Sequence, residues 1–376
     1  MRNKFENKKI KKNPEEMFEK ACEEVISQGY LVHKKNHDED GEDPKIYHTS
    51  EHPKTLAQRA SQISETLRLS NDQRKIIEMA IAWHDVVIEY EKADPDDLLS
   101  MVLRHRGARK GDMPKGADGN EGKSAQLLKQ QMQEANKLAK KEIFTKEQID
   151  TAVWTIEATY PDMSFGQNFE EYPYYQQSVA QNPNIDAIIN ELKTHGITGG
   201  ALLYQPHMEN ALESGQIVPK EVITVALSDL GGFGTAEEEE LFEEGDGEML
   251  ELYANLTEPD TLHRLLNGDD EQDKIDREKV ATAFFKWLEG QPMFTVWQAL
   301  RFEKIIYLLK QLNELTTEEE EKLRTQFSHF EKNVRATLER YEKLKKEFEK
   351  IKTTVGEKEA FVYLSKNLHY GFKHEE

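Results

Sequence analysis

Apolar residues recur every three or four positions along most of this chain, and the two-residue alternation of a half-buried strand is scarce. That period lines up one face of a 3.6-residue helix, so it predicts an all-α fold. Leu56, Ala60, Ile63 and Leu67 are spaced 4, 3 and 4. Asn71-Asp72 offers a cap to a second helix carrying Ile76, Ile77, Ala80, Ile81, Trp83, Val87 and Ile88. Asn120 can cap a third, with Ala125, Leu127 and Leu128, and Thr145 starts a fourth that Pro161 should close. Pro219 suits the first turn of a helix through Val222, Val225, Ala226 and Asp229, which Gly231-Gly232 ends. From Leu323 to Ile351 the pattern predicts one long amphipathic helix, packed against another over residues 294–315.

A length of 376 residues suggests two domains, or one large domain with an appendage. The expected division is a basic amino-terminal arm and helix over 1–43, a metal-binding helical domain over 44–256, and a helical, coiled-coil-like extension over 257–376. Residues 162–184 read as an aromatic-rich insertion, with Phe165, Phe169, Tyr172, Tyr174 and Tyr175. Residues 107–122 read as a loop rich in Gly, Lys and Arg. The acidic run at 237–246 reads as a solvated helix face.

Composition removes several function classes. With 71 Asp+Glu against 50 Lys+Arg the formal charge is −21, which disfavours a nucleic acid duplex as partner. The single cysteine, Cys22, excludes an internal disulfide and any Cys-based zinc site. No apolar run is long enough to span a bilayer, so no membrane partner is expected. The basic start MRNKFENKKIKK has no hydrophobic segment after it, so the expectation is a soluble cytoplasmic protein rather than a secreted one.

Three features carry chemistry when read together. Ser50 is a candidate cap for a helix on which His52, four residues before Leu56, shares the inward stripe. His84 lies on the stripe of Ile77, Ala80 and Ile81, and burying the adjacent Asp85 would be costly without a cation or several donors. Asp229 falls on the inward face of its helix, beside Val222, Val225 and Ala226. Each residue alone reads as a core histidine, a cap or a salt bridge. Together, two imidazoles and two carboxylates suit a borderline or hard divalent ion with positions left for water.

The order His52, His84-Asp85, Asp229 resembles that of the HD-domain superfamily of metal-dependent phosphohydrolases. Tyr47-His48 followed by His52 is similar to the Tyr-His-Asn-x-x-His opening of many members, with Thr49 in place of Asn. Asn120-Glu121-Gly122-Lys123-Ser124-Ala125 resembles the Asn-Glu-x-x-Ser-Ala helix start of the predicted small HD hydrolases, and Asp229-Leu230-Gly231 the segment with their last aspartate. The resemblance covers roughly 44–256; the aromatic insertion and the carboxy-terminal third lie outside it. It implies an HD-domain helical core of five helices holding one divalent ion (Mn, Fe, Co, Ni, Zn or Mg) through His52, His84, Asp85 and Asp229. It implies hydrolysis of a small phosphoester, with nucleotides the first candidates, by a metal-activated water.

Further roles follow from the resemblance with their plainer alternatives beside them. His48 stands where related phosphodiesterases carry a histidine that protonates the leaving oxygen; otherwise it is a surface histidine at the helix start. Glu121 shares a face with Ser124, Ala125 and Leu128 and could orient the attacking water, or simply favour the helix dipole. Glu89, four residues after Asp85, would share its helix face and serve as a further carboxylate, or sit at the surface. Arg104, Arg106 and Arg109, in a run with His105, Lys110 and Lys115, are candidates for holding substrate phosphate, or form a solvated loop. The aromatics at 165–175 could stack on a base or pack their own insertion. Two rivals remain open. One is a two-metal phosphodiesterase or di-iron oxygenase site, with His105 or His207 as extra ligand. The other is a non-catalytic metal- or nucleotide-binding module acting through its carboxy-terminal helices, which also offer a homo-oligomer contact.

Overall fold

The computed structural model describes residues 13–90, 94, 96–101, 119–165, 169–198 and 201–369. The fold is all-α, with one two-stranded antiparallel ribbon. The order begins α1 (Pro14–His37), α2 (His52–Thr66), α3 (Asn71–Trp83), α4 (Asn120–Ala139) and α5 (Lys146–Glu157). Strand β1 (Asp162–Phe165) precedes α6 (Tyr175–Gln181) and α7 (Asn184–Thr194), and β2 (Ala201–Tyr204) precedes α8 (Pro206–Glu213) and α9 (Lys220–Asp229). Then follow α10 (Gly232–Thr235), α11 (Glu238–Leu252), α12 (Pro259–Asn267), α13 (Glu271–Gln311), α14 (Thr317–Gln326), α15 (Phe330–Thr354) and α16 (Glu357–Lys366). No described helix is long and apolar enough to cross a membrane.

Helix α3 is the hub. Every residue from Met79 to Val86 is buried, and the helix packs against α1, α2, α4, α5 and α9. A helix apolar on all sides is stable only when enclosed in this way. Its closest neighbour is α1: a Cβ on Gly29 would lie 2.7 Å from both Ala82 O and Trp83 Nε1, so the two helices can approach only where the side chain is absent. The Trp83 indole donates to Val25 O at 2.8 Å and fixes that contact just before His84.

The core does not stop at residue 257. One continuous apolar cluster joins Leu56 and Ile63 of α2, Val222 and Val225 of α9, Trp297 and Leu300 of α13, and Val334 of α15. Helix α13 packs along α15, as the periodicity predicts, and also along β2, α6, α7 and α16. The aromatic insertion folds onto it: Phe169 stacks on Trp297 at 4.2 Å and Tyr172 meets the same indole edge-on at 5.5 Å. Those rings are core, so the base-stacking alternative is not available to them.

Several local expectations are corrected. The predicted continuous helix from 323 to 351 breaks between α14 and α15. There the His329 N–H donates to Gly234 O at 3.0 Å, and the Asn333 amide donates to Phe233 O and Ala236 O, both at 3.0 Å. Long-range partners thus outcompete one turn of helix. The caps also differ. Ser70, not Asn71-Asp72, caps α3, in a capping box with Gln73. Gly119 occupies the cap position of α4, and Thr145 caps α5 as expected. The acidic run is only partly solvated: Glu240 and Glu244 hold the buried guanidinium of Arg59 at 2.5 Å each, and Asp246 is fully buried against Arg340.

Candidate metal centre

Helix α3 ends at Trp83 rather than running on to Ile88, so His84 is its C-cap and Asp85 already lies in a turn. The imidazole itself closes the helix: His84 Nδ1 lies 2.7 Å from Ile81 O, one of the carbonyls left without an intrahelical partner. As an N–H donor there, Nδ1 leaves Nε2 to face inward, the arrangement that orients metal-binding histidines. The following loop is clamped from two sides. Asn36 of α1 donates to Val86 O at 3.0 Å, and the Val87 N–H donates to Ser124 Oγ of α4 at 3.1 Å. Asn120, expected as a cap, instead pairs with the backbone of Glu89, accepting at 3.1 Å and donating at 3.0 Å.

Opposite this loop, His52 opens α2, with Pro53 tolerated in the first turn. Ser50 does not cap it: its N–H and hydroxyl both donate to Asp38, at 2.8 and 2.9 Å. The His52 Nε2 is 3.6 Å from Asp85 Oδ2 and 3.9 Å from Asp229 Oδ1, and His84 Nε2 is 3.0 Å from Asp85 Oδ2. His52, His84 and Asp85 each offer one ligand atom within 4.8 Å of the others, and all three are buried. Two ligands at about 2.1 Å from one ion stand roughly 3.0–4.2 Å apart, depending on geometry. The measured separations fit that range. The buried Nε2 of His52 has no hydrogen-bond partner, and that of His84 meets only Asp85, at 3.0 Å. Two buried imidazole nitrogens that converge on one carboxylate, one of them without a partner, are a donor set that suits a divalent ion.

Asp229 ends α9 as anticipated and approaches from the side of His52. Its other oxygen accepts from Gln205 Nε2 at 3.2 Å. Gln205 is fully buried and belongs to a charged network in which Arg301 Nε reaches Glu209 at 2.5 Å and Lys304 reaches it at 2.9 Å. Thus α13 supports Asp229, an aspartate that sequence reading placed in a different domain.

The electrostatics follow from burial and charge. Burial drives the His52 imidazole well below its usual pKa, helped by His84 and His48, so it is neutral. Burial works in the same direction on His84, but Asp85, and then Asp229, overturn it and push His84 up to about 9. Without an ion, therefore, His84 and Asp85 form an imidazolium–carboxylate pair.

The remaining expected residues are placed as follows. His48 is buried, not at the surface: Nδ1 is 2.6 Å from Glu251 Oε1 and Nε2 is 3.8 Å from Asp85 Oδ2. Glu121 is buried in the first turn of α4, the helix that clamps the His84-Asp85 loop. Glu89 is corrected: the chain there is not helical, and its carboxylate is exposed and paired with Lys123. His207 sits on α8 against Tyr160, outside the cluster. Arg104, His105, Arg106, Arg109, Lys110 and Lys115 lie outside the described residues.

Three participants were not foreseen. Glu251 takes the N–H groups of Ile46, Tyr47 and His48 on one oxygen, at 3.1, 2.9 and 3.1 Å, and accepts from Tyr90 on the other. Burial would raise its pKa, but His48 and these donors hold it well below the carboxylate range. His33 of α1 is fully buried, both ring nitrogens lack partners, and burial lowers it to about 3. Gln205 is the third. Only His33 carries a sequence signal: it lies eight residues after Val25 and four after Gly29, on the buried face of α1. No family model, curated protein or solved structure matches this chain.

Proposed function

We propose that this chain is an HD-type metal-dependent phosphohydrolase that cleaves a small phosphoester, with nucleotides first in the panel to be tried. The observation that carries the reading is the convergence of the buried Nε2 atoms of His52 and His84 on Asp85, the first of them without any hydrogen-bond partner. A divalent ion bound there lowers the pKa of water and neutralises charge developing on phosphoryl oxygens. His52 and His84 offer lone pairs, and Asp85 and Asp229 balance the ion's charge. Glu251 holds the His48 ring so that Nε2 faces the centre, in position to give a proton to a leaving oxygen. Glu121, buried at the start of α4, orients the attacking water. Arg104, Arg106 and Arg109 are proposed from sequence alone as contacts to substrate phosphate.

The test is metal analysis of protein purified without chelators, followed by a phosphoester panel with Mn, Fe, Co, Ni, Zn and Mg. About one ion per chain, lost in Asp85→Ala with helix content intact, is the expected result. Full metal occupancy in Asp85→Ala, or no ion in the parent protein, would reject the reading. Two ions per chain would favour the two-metal alternative.

A further inference from the structure

A cavity of about 1160 Å³ is lined by none of the metal-centre residues. It opens between α13 and α11, with β2 along one side. Ligand pockets typically occupy about 300–1,000 Å³, so this one exceeds the needs of a simple phosphomonoester.

Its wall is joined to the centre by three separate stretches of chain. Leu203 lines it, and Gln205, two residues on, holds Asp229. Glu248 lines it, and Glu251, on the next turn of α11, holds His48. Phe233 lines it, four residues after Asp229. A two-residue extended step covers about 7 Å and a three-residue helical step about 4.5 Å, so the wall lies close to Gln205 and Glu251, the residues that hold Asp229 and His48.

The chemistry of the wall is apolar with a charged rim. Trp287, Phe294, Leu241 and Leu252 contribute to it, while Lys279, Lys286, Glu248, Glu278 and Glu289 supply the charges. Two of the few large hydrophobic side chains exposed to solvent, Met101 and Ile275, both 41% exposed, also belong to this cavity. The Trp287 indole N–H is buried without a partner, which is costly unless an acceptor arrives from outside the protein. Gly290 faces open space: a Cβ there would meet nothing within 4 Å.

We infer that this cavity takes the apolar body of an amphiphilic phosphoester whose phosphate lies at the metal centre. The inference rests on the phosphohydrolase reading for the role of the centre, and it moves the expected substrate from a free nucleotide toward a phosphoester of a long or bulky apolar alcohol. Apolar burial would supply the affinity.

The experiment compares octyl phosphate with methyl phosphate by isothermal titration of the metal-loaded full chain. Octyl phosphate should bind at least about 100-fold more tightly, the equivalent of burying roughly half of its additional methylenes. Gly290→Phe fills the cavity from a helical position with room for it, and should remove most of that advantage while metal content stays the same. Gly290→Ala controls for the helix and should bind octyl phosphate as the parent does. Equal affinities for the two phosphates in the parent protein would overturn the inference, and so would undiminished octyl phosphate binding in a folded Gly290→Phe. The parent comparison stands even if that variant does not fold. Octyl phosphate that binds tightly, but yields no octanol and phosphate with any ion, would sink the phosphohydrolase reading and leave the cavity assignment intact.

Discussion

His48 Nδ1 and Glu251 Oε1 are 2.6 Å apart, joining the segment before α2 to a helix some 200 residues later. The same carboxylate gathers three successive backbone N–H groups, so it fixes both the histidine and the loop that delivers His52. Glu251→Gln should keep the metal but lose roughly 10–100-fold in kcat/KM, the usual range for a residue that orients an active-site group. Because folding depresses the Glu251 pKa, its stabilisation is present above the ordinary glutamate value and fades as pH falls toward the folded one. Thermal melts below pH 4.5 should therefore converge for the parent and the Gln variant. Persistent divergence in acid would remove Glu251 from the anchoring role.

The His84-Asp85 pair predicts a pH signature of metal uptake. His84 is held protonated up to about pH 9 in the metal-free protein, and only its neutral form can ligate. Binding at pH 7 should release about one proton, and apparent affinity should rise tenfold per pH unit until about pH 9. The sign for stability is the reverse. The raised pKa stabilises the metal-free fold fully below about 6.5, and that contribution is lost as pH climbs through about 9. Melts in chelator should fall across that window and melts with saturating metal should not. Proton release that does not vary with pH would contradict the assignment.

Gln205 reaches Asp229 from a network anchored on α13. Gln205→Leu keeps the volume and deletes the donor, so metal Kd should weaken about 10-fold or more while the ion remains bindable. Arg301→Met is expected to be harsher. It leaves the buried Glu209 carboxylate with Lys304 as its strong cation, and breaking such a pair costs about 3–5 kcal/mol. Chemical denaturation separates the two outcomes; an unperturbed Arg301→Met midpoint would show that the network does not bear on folding.

The fold class was legible because one period governs the whole chain, and the buried group of His52, His84 and Asp85 was legible because histidines interrupted apolar stripes. What escaped was set by tertiary partners. Asn120 and Ser50 have cap-forming side chains, but each finds a distant backbone or carboxylate partner instead. Glu251 escaped because nothing local marks the carboxylate that binds the segment at 46–48. The domain boundary near 257 was drawn from a change in composition, and the core cluster crosses it because α13 supplies the apolar face that α9 and α2 need. Glu89 was misplaced because α3 stops at a histidine, a residue that carries no strong helix-stop signal.

Gly29 tests how far the centre depends on packing outside it. Adding a methyl group places Cβ 2.7 Å from Ala82 O and from the Trp83 indole, both beside His84, so α1 or the end of α3 must move. Gly29→Ala should cost about 1–3 kcal/mol as an overpacked contact, partly offset by the better helix propensity of alanine. A shift of α3 would also weaken metal binding. A stability gain with unchanged metal Kd would mean the helices separate at no cost to the site.

Glu121 is the sharpest separator of catalysis from structure. It is buried within one turn of Asn120 and Ser124, the two α4 residues that bind the loop after Asp85. Removing its charge leaves both of those hydrogen bonds and all four candidate ligands in place. If it orients water or carries a proton, Glu121→Gln should retain the metal and lose roughly 10²-fold or more in kcat with little change in KM. A purely structural carboxylate predicts another pattern, in which the melting temperature falls and the kcat of the remaining folded protein is unaltered. Metal content, melts and kinetics measured on that single variant tell the two apart, and unchanged turnover at full metal occupancy would reduce Glu121 to a helix-start residue.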